Sequence, residues 1–173
     1  MAKKALSELR ARDIMTSDIV SVAETATVRE LVALLQEHEI SGVPVVNARG
    51  KITGVVSVSD VAASSGGGGS IGPEVASPEF YVHGWEDKVN PDELRQLHIE
   101  DEGLLVSDIM TVRVYTIAAD APVTEIASTM VDGHVHRLLV AERDKLVGIV
   151  STLDVLRSVA NNPSRAEEAC GCR

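Results

Sequence analysis

Gly54-Val55-Val56-Ser57-Val58-Ser59-Asp60-Val61 returns further along the chain as Gly148-Ile149-Val150-Ser151-Thr152-Leu153-Asp154-Val155, and this match decides the fold. It extends outward at nearly constant spacing. Residues 51–61 align with 145–155 at a shift of 94, and residues 11–46 align with 106–141 at a shift of 95. The residue lost between these blocks falls in a turn. Both copies open on the same tetrapeptide, Asp13-Ile14-Met15-Thr16 and Asp108-Ile109-Met110-Thr111. Two units of about 50 residues, each too small to bury a good core alone, predict one pseudo-symmetric domain.

Each copy reads as β-α-β-β-α. A short apolar strand is expected over Ile19–Val22 and again over Val114–Ile117. A helix follows, opened in copy one by Thr27 with Glu30 at capping-box spacing and in copy two by Pro122. Its buried stripe is Val28, Leu31, Val32 and Leu35, or Val123, Ile126, Ala127 and Met130, the spacing of one helical face. Gly133 is expected to end the second helix. Two strands joined by a turn come next, Val43–Val46 and Ile52–Val58 around Asn47–Gly50, then Leu138–Ala141 and Leu146–Val150 around Glu142–Lys145. A last helix begins near Ser59 or Thr152. The predicted fold class is α/β (α+β), with two pseudo-symmetric repeats and an insertion between them.

The chain divides into repeat one with an N-terminal helical segment (1–63), an insertion (64–103), repeat two (104–161) and a polar tail (162–173). The insertion opens on a Gly/Ser-rich stretch, residues 62–70, that reads as a flexible linker. It then gathers Phe80, Tyr81 and Trp85, three of the four aromatics in 173 residues. Clustered aromatics mostly serve packing or interfaces, so they are expected on the core or a dimer seam, with a lid or docking patch as the sharper alternative. Asn90-Pro91-Asp92-Glu93 has the cap, the proline and the acidic residue that start a helix, expected over Pro91–His98.

A net charge of −10 and four aromatics disfavour nucleic acid, anionic membranes and base stacking. The longest apolar runs, 43–46 and 52–58, are far too short to cross a bilayer. The start, Met1-Ala2-Lys3-Lys4, leads into no continuous apolar region with a cleavage site, so a cytoplasmic location is expected. Cys170 and Cys172 fall in the tail and predict a reduced pair, and His83 and His98 lack partners at ligand spacing, so no metal is expected. No nucleophile–base–acid set and no Gly-rich phosphate loop is present, so no catalysis is expected.

Two features carry chemistry. The Ser-x-x-Asp units, Ser57 with Asp60 and Ser151 with Asp154, stand where a strand passes into a helix. Serine and aspartate there make ordinary caps, and the same carboxylate suits a ribose diol. His136-Arg137 is the only side-by-side His and Arg in the repeats, and Arg offers a donor fork to phosphate. Read alone, the pair also suits a solvated strand start. Copy one has Ser41-Gly42 at the aligned positions.

With Gly42-Val43-Pro44-Val45-Val46 in copy one and Val135-His136-Arg137-Leu138-Leu139-Val140 in copy two, the repeat resembles a pair of cystathionine-β-synthase (CBS) domains over residues 10–63 and 104–160. The resemblance implies repeats packed through their sheets and two unequal adenine-nucleotide sites, with AMP, ADP or ATP as ligand and no required cofactor. The stronger would use His136, Arg137, Ser151 and Asp154, completed by Thr16, Ile19, Val20 and Ile40 of the other copy. The weaker would use Ser41, Gly42, Ser57 and Asp60, completed by Thr111, Val114, Tyr115 and Val135. It further implies a regulatory homodimer acting on a separate effector protein, or a scaffold with degenerate sites. The apolar members of both sets serve equally well as plain core.

Overall fold

The computed structural model describes residues 5–64, 79–82 and 103–161. Most of the Gly/Ser stretch, His83, Trp85, the helix expected over Pro91–His98, Cys170 and Cys172 lie outside the described residues.

Copy one runs through α1 (Ala11–Ile14), β1 (Val22–Ala23), α2 (Val28–His38), β2 (Gly42–Val46), β3 (Ile52–Ser57) and α3 (Val58–Ser64). The insertion contributes α4 (Glu79–Val82). Copy two repeats the order with α5 (Val106–Ile109), β4 (Thr116–Ala118), α6 (Val123–Gly133), β5 (Arg137–Glu142), β6 (Lys145–Ser151) and α7 (Thr152–Asn161). The two sheets have the orders β1-β2-β3 and β4-β5-β6, each with one parallel and one antiparallel pairing. No helix among the described residues is long and apolar enough to cross a membrane.

The helices form for the reasons their sequences give. Thr27 N–H donates to Glu30 Oε2 at 2.8 Å and Glu30 N–H returns to Thr27 Oγ1 at 3.2 Å, closing the capping box. The stripe Val28, Leu31, Val32 and Leu35 is buried, and in α6 Val123, Ile126 and Met130 are, with Ala127 half-buried at the edge of the face. Gly133 is the last helical residue and not the cap. The left-handed turn falls on His134 (φ 50°), as it falls on Glu39 (φ 52°) after α2. The linker reading starts too early, because α3 continues through Ala62, Ala63 and Ser64. Ser64 Oγ caps Val61 O at 2.7 Å, matching the Ser158–Val155 bond in α7.

Each hairpin has its own turn. In copy two Arg143 and Asp144 both have positive φ (52° and 65°), the two-residue arrangement that suits the strand twist. Copy one uses a longer loop in which Asn47 Oδ1 accepts from Arg49 N–H and Lys51 N–H, with Gly50 at φ 74°. That difference absorbs the lost residue.

The first strands are shorter than expected. Pairing starts only at Val22 and Thr116, so Ile19–Ser21 and Val114–Tyr115 are irregular. The backbone there is crossing between sheets. Thr16 exchanges both backbone bonds with Ile149 of β6 (2.9 and 3.0 Å), and Thr111 does the same with Val55 of β3 (3.0 and 2.9 Å). Ala11 N–H and Arg12 N–H donate to Ala121 O and Ala119 O of copy two, mirrored by Val106 to Ala26 O and Ser107 to Glu24 O of copy one. Each copy thus lends its opening segment to the other.

The cores interleave in the same way. Ala11 and Val55 belong to the cluster built on Leu138, Leu139 and Ile126, while Val106 belongs to the one built on Leu31, Leu35 and Val43. At roughly 1.5–3 kcal/mol for each fully buried aliphatic side chain, the shared residues weld the repeats into one unit. The glycine that recurs in each repeat has a use here. A Cβ on Gly54 would sit 2.8 Å from Thr111 O and 2.9 Å from Met110 Sδ, and one on Gly148 would strike the side chain of Met15. Both glycines leave space for the methionine of the partner repeat.

Candidate functional site

The β5–β6 register sets Arg137 opposite Ser151, at the point where β6 passes into α7. Ser151 is the residue before the helix, and Asp154 stands on its first turn. Ser151 N–H and Oγ–H both donate to Asp154 Oδ2, at 2.8 and 2.6 Å, while Asp154 N–H reaches Ser151 Oγ at 3.3 Å. The cap reading of Ser-x-x-Asp therefore holds as geometry. It does not use up the carboxylate, which has about four acceptor positions. Asp154 Oδ1 lies 3.7 Å from the exposed Arg157, and the side chain keeps 16% exposure.

His136 ties down the same end of the sheet through its backbone. Its carbonyl accepts Thr152 N–H at 2.8 Å and Thr152 Oγ1–H at 3.1 Å, tying the start of β5 to the start of α7, and its side chain is exposed. Thr16 arrives from copy one by its bonds to Ile149, two residues before Ser151. Arg137, Ser151 and Asp154 thus stand at one end of β6, with the Thr16 backbone two residues away at Ile149. Val20 and Ile40 pack on the copy-one core, and Ile19 is half-buried.

Copy one repeats the frame with different contents. Gly42 stands opposite Ser57, and Ser41 O accepts Val58 N–H at 2.9 Å. Ser57 N–H and Oγ–H both reach Asp60 Oδ2 at 2.7 Å, and Ser57 Oγ also lies 3.1 Å from Ser59 Oγ. Burial pushes the Asp60 carboxyl above its ordinary value, against the two serine bonds, which pull it down. Thr111 reaches this end through Val55, two residues before Ser57. Val114, Tyr115 and Val135 lie in the copy-two core cluster.

The insertion supplies the feature that sequence reasoning left open. Phe80 (3% exposed) and Tyr81 (0%) of α4 are buried in the core cluster with Val135, Val114 and Tyr115. Their rings meet edge to face at 5.0 Å, and Tyr81 meets Tyr115 the same way at 5.1 Å. Tyr81 Oη accepts Tyr115 N–H at 2.9 Å, and Tyr81 O accepts His136 N–H at 2.7 Å. Burial pushes the Tyr81 hydroxyl far above its ordinary value, so it stays protonated. The Arg137 guanidinium lies 5.3 Å over the Phe80 ring, a cation–π contact. Of the roles expected of the aromatics, Phe80 and Tyr81 take packing on the core. Nothing in the local pattern shows which part of the core receives them. Among the described residues no group of three or more His, Cys, Asp or Glu gathers as a metal site would require.

Known proteins share this arrangement. The family profile of the CBS domain matches residues 11–66 and 106–161. The chain is 32% identical over 148 residues to CBS domain-containing protein CBSX1, chloroplastic, of Arabidopsis thaliana, covering 82% of this chain and 59% of that protein. It spans three fifths or less of the length of the first curated relatives it matches. Among solved structures, CBSX2 in complex with AMP superposes with a TM-score of 0.61 at 23% identity, over 88% of this chain and 96% of that one. The CBS domain of the bacterial CNNM/CorC family Mg2+ transporter in complex with ATP gives 0.60 at 23% identity, over 90% and 89%. At such identities the likeness is one of fold.

Proposed function

Because this chain belongs to the CBS domain family, we propose that it is a non-catalytic regulatory module that binds an adenine nucleotide, AMP, ADP or ATP, in the cleft between its repeats. The observation that carries the reading is the convergence of Arg137, Ser151 and Asp154 with Thr16 of the other copy. Asp154 has acceptor positions left for a ribose diol, Arg137 is a fork of donors for phosphate, and His136 adds an exposed imidazole. The complexes of CBSX2 with AMP and of the CNNM/CorC domain with ATP support the ligand class. His136, Arg137, Ser151, Asp154, Thr16, Ile19, Val20 and Ile40 are the proposed residues of this stronger site.

Signalling follows from differential affinity: a nucleotide shifts conformation or association only as far as it prefers one state. A homodimer is the proposed assembly. Val131 on α6 and Leu156 and Val159 on α7 are exposed at 70%, 59% and 46%, an apolar face on two helices of copy two. The output would pass to a separate effector protein, in the cytoplasm. The scaffold reading is favoured at one place only, the copy-one end, where Gly42 stands in place of the arginine.

Thermal unfolding with each nucleotide tests the proposal. At a hundredfold excess over Kd a bound nucleotide adds about 2.7 kcal/mol, a rise of several degrees in Tm for a chain of this size. No rise with AMP, ADP or ATP at millimolar concentration contradicts it.

A further inference from the structure

We infer that the copy-one site takes the chain's own Phe80–Tyr81 pair as its occupant in place of a nucleotide, leaving one nucleotide per chain, at the copy-two site. The inference rests on the proposed function for that second site, and its first premise is steric. A Cβ on Gly42 would lie 3.1 Å from Phe80 Cδ2, 3.2 Å from Ser57 Cα and 2.8 Å from Val56 O. Gly42 is the aligned counterpart of Arg137. A long side chain there would collide with the phenyl ring, so the position that reads phosphate in one copy is given up to an aromatic ring in the other.

The second premise is chemical. The residues expected to wall the adenine end of the copy-one site, Val114, Tyr115 and Val135, share one core cluster with Phe80 and Tyr81. Tyr81 brings what a purine would bring, a flat ring with a hydrogen-bond acceptor at its edge. That acceptor takes Tyr115 N–H at 2.9 Å, and the Tyr81 carbonyl takes the N–H next to Val135, that of His136, at 2.7 Å. The ring meets Tyr115 edge to face.

The third premise is the contrast between the repeats. Ser57 is 4% exposed, whereas its counterpart Ser151 is half-buried, although both make the same two bonds to aspartate. Phe80 and Ser57 both flank Gly42, since a Cβ there would touch each of them. Burial has also raised the Asp60 carboxyl, as a covered site requires. From the other side Arg137 reaches over Phe80, so the occupant of one site touches the phosphate-reading residue of the other.

Calorimetric titration of the full chain with AMP tests this, with Asp60→Asn, Asp154→Asn and Phe80→Ala/Tyr81→Ala. The expected stoichiometry is one per chain, unchanged by Asp60→Asn and lost with Asp154→Asn. The double variant should gain a second site that Asp60→Asn alone removes. Two sites in the unaltered protein, one of them lost with Asp60→Asn, would overturn the inference and leave nucleotide binding intact. A folded double variant without a second site overturns it too. An unaltered protein that binds nothing, beside a double variant that binds one AMP through Asp60, would sustain the inference and sink the function proposed for the copy-two site. Hydrogen exchange reads the plug without ligand, and Tyr81→Phe keeps the ring should the double variant fail to fold. The Tyr115 amide should then exchange at least about tenfold faster while the His136 amide keeps its protection, and equal Tyr115 rates in the two proteins overturn the inference.

Discussion

Arg137 faces Ser151 across the β5–β6 ladder, whereas the same place in copy one sets Gly42 opposite Ser57. Under the proposed function, this one difference within a repeated frame separates a site with a donor fork for phosphate from one without it. Hydrogen bonds to a charged partner contribute about 1.5–3 kcal/mol. Arg137→Gln should therefore weaken ATP by roughly tenfold to a hundredfold and adenosine by much less. Competition binding of the two ligands checks the split. An equal loss for both would assign Arg137 to packing over Phe80 alone.

The raised Asp60 carboxyl gives a pH signature. A carboxyl whose folded-state value lies above its unfolded one binds extra protons in the native state, so stability falls as pH rises from the ordinary value of 3.8 through the raised one. Above both, the cost is fully present. Asp60→Asn keeps an acceptor for Ser57 and removes the titration. Urea unfolding from about pH 4 to pH 7 should show the wild-type protein losing stability relative to this variant, with the gap constant at the upper end. A gap that instead closes as pH rises would show a depressed carboxyl.

The methionine contacts across the repeats predict an order of damage. Adding a methyl to a packed site costs typically 1–3 kcal/mol. Gly54→Ala meets a backbone oxygen, Thr111 O at 2.8 Å, which can yield only by parting the strands. For Gly148→Ala the nearest atoms all belong to the flexible side chain of Met15. Gly54→Ala should be the more destabilising, and Met15→Ala should rescue Gly148→Ala. Denaturant midpoints measure both effects, and the reverse order would refute the cross-repeat packing.

Glu39 and His134 close their helices in the left-handed region, where a side chain costs roughly 1–2 kcal/mol. Glycine relieves that strain and gives part of it back in backbone entropy. Glu39→Gly and His134→Gly should each stabilise by roughly 0.5–1 kcal/mol, read as a higher urea midpoint. Destabilisation by either would show that the side chain makes a contact worth more than the strain.

Much of this fold is legible in the sequence because the chain states it twice. The element order, the buried stripe of α2, the Thr27–Glu30 box and the turn that drops a residue all follow from local pattern. What pattern cannot give is the partner of a backbone group. Ile19 and Val114 look like strand residues, yet their segments spend their hydrogen bonds crossing to the other repeat at Ile149 and Val55. Gly133 looks like a helix stop, yet the helix runs one residue further and turns at His134. Repetition marks the Ser-Asp units, whereas the His-Arg pair stands in one copy only and reads as part of a site only through the family resemblance. Phe80 and Tyr81 were readable as aromatics with something to bury, and only the packing around Gly42 and Tyr115 shows where.

The most direct test of the central claim is calorimetric titration of AMP, ADP and ATP into nucleotide-free protein beside Asp154→Asn, with S-adenosylmethionine as a contrasting ligand. The amide keeps an acceptor for Ser151 N–H, so the variant should fold, while the carboxylate proposed to take the ribose is gone. The account predicts saturable binding of at least one of the three nucleotides and its loss in the variant. Undiminished binding by Asp154→Asn, or no binding of any nucleotide by the unaltered protein, would contradict it.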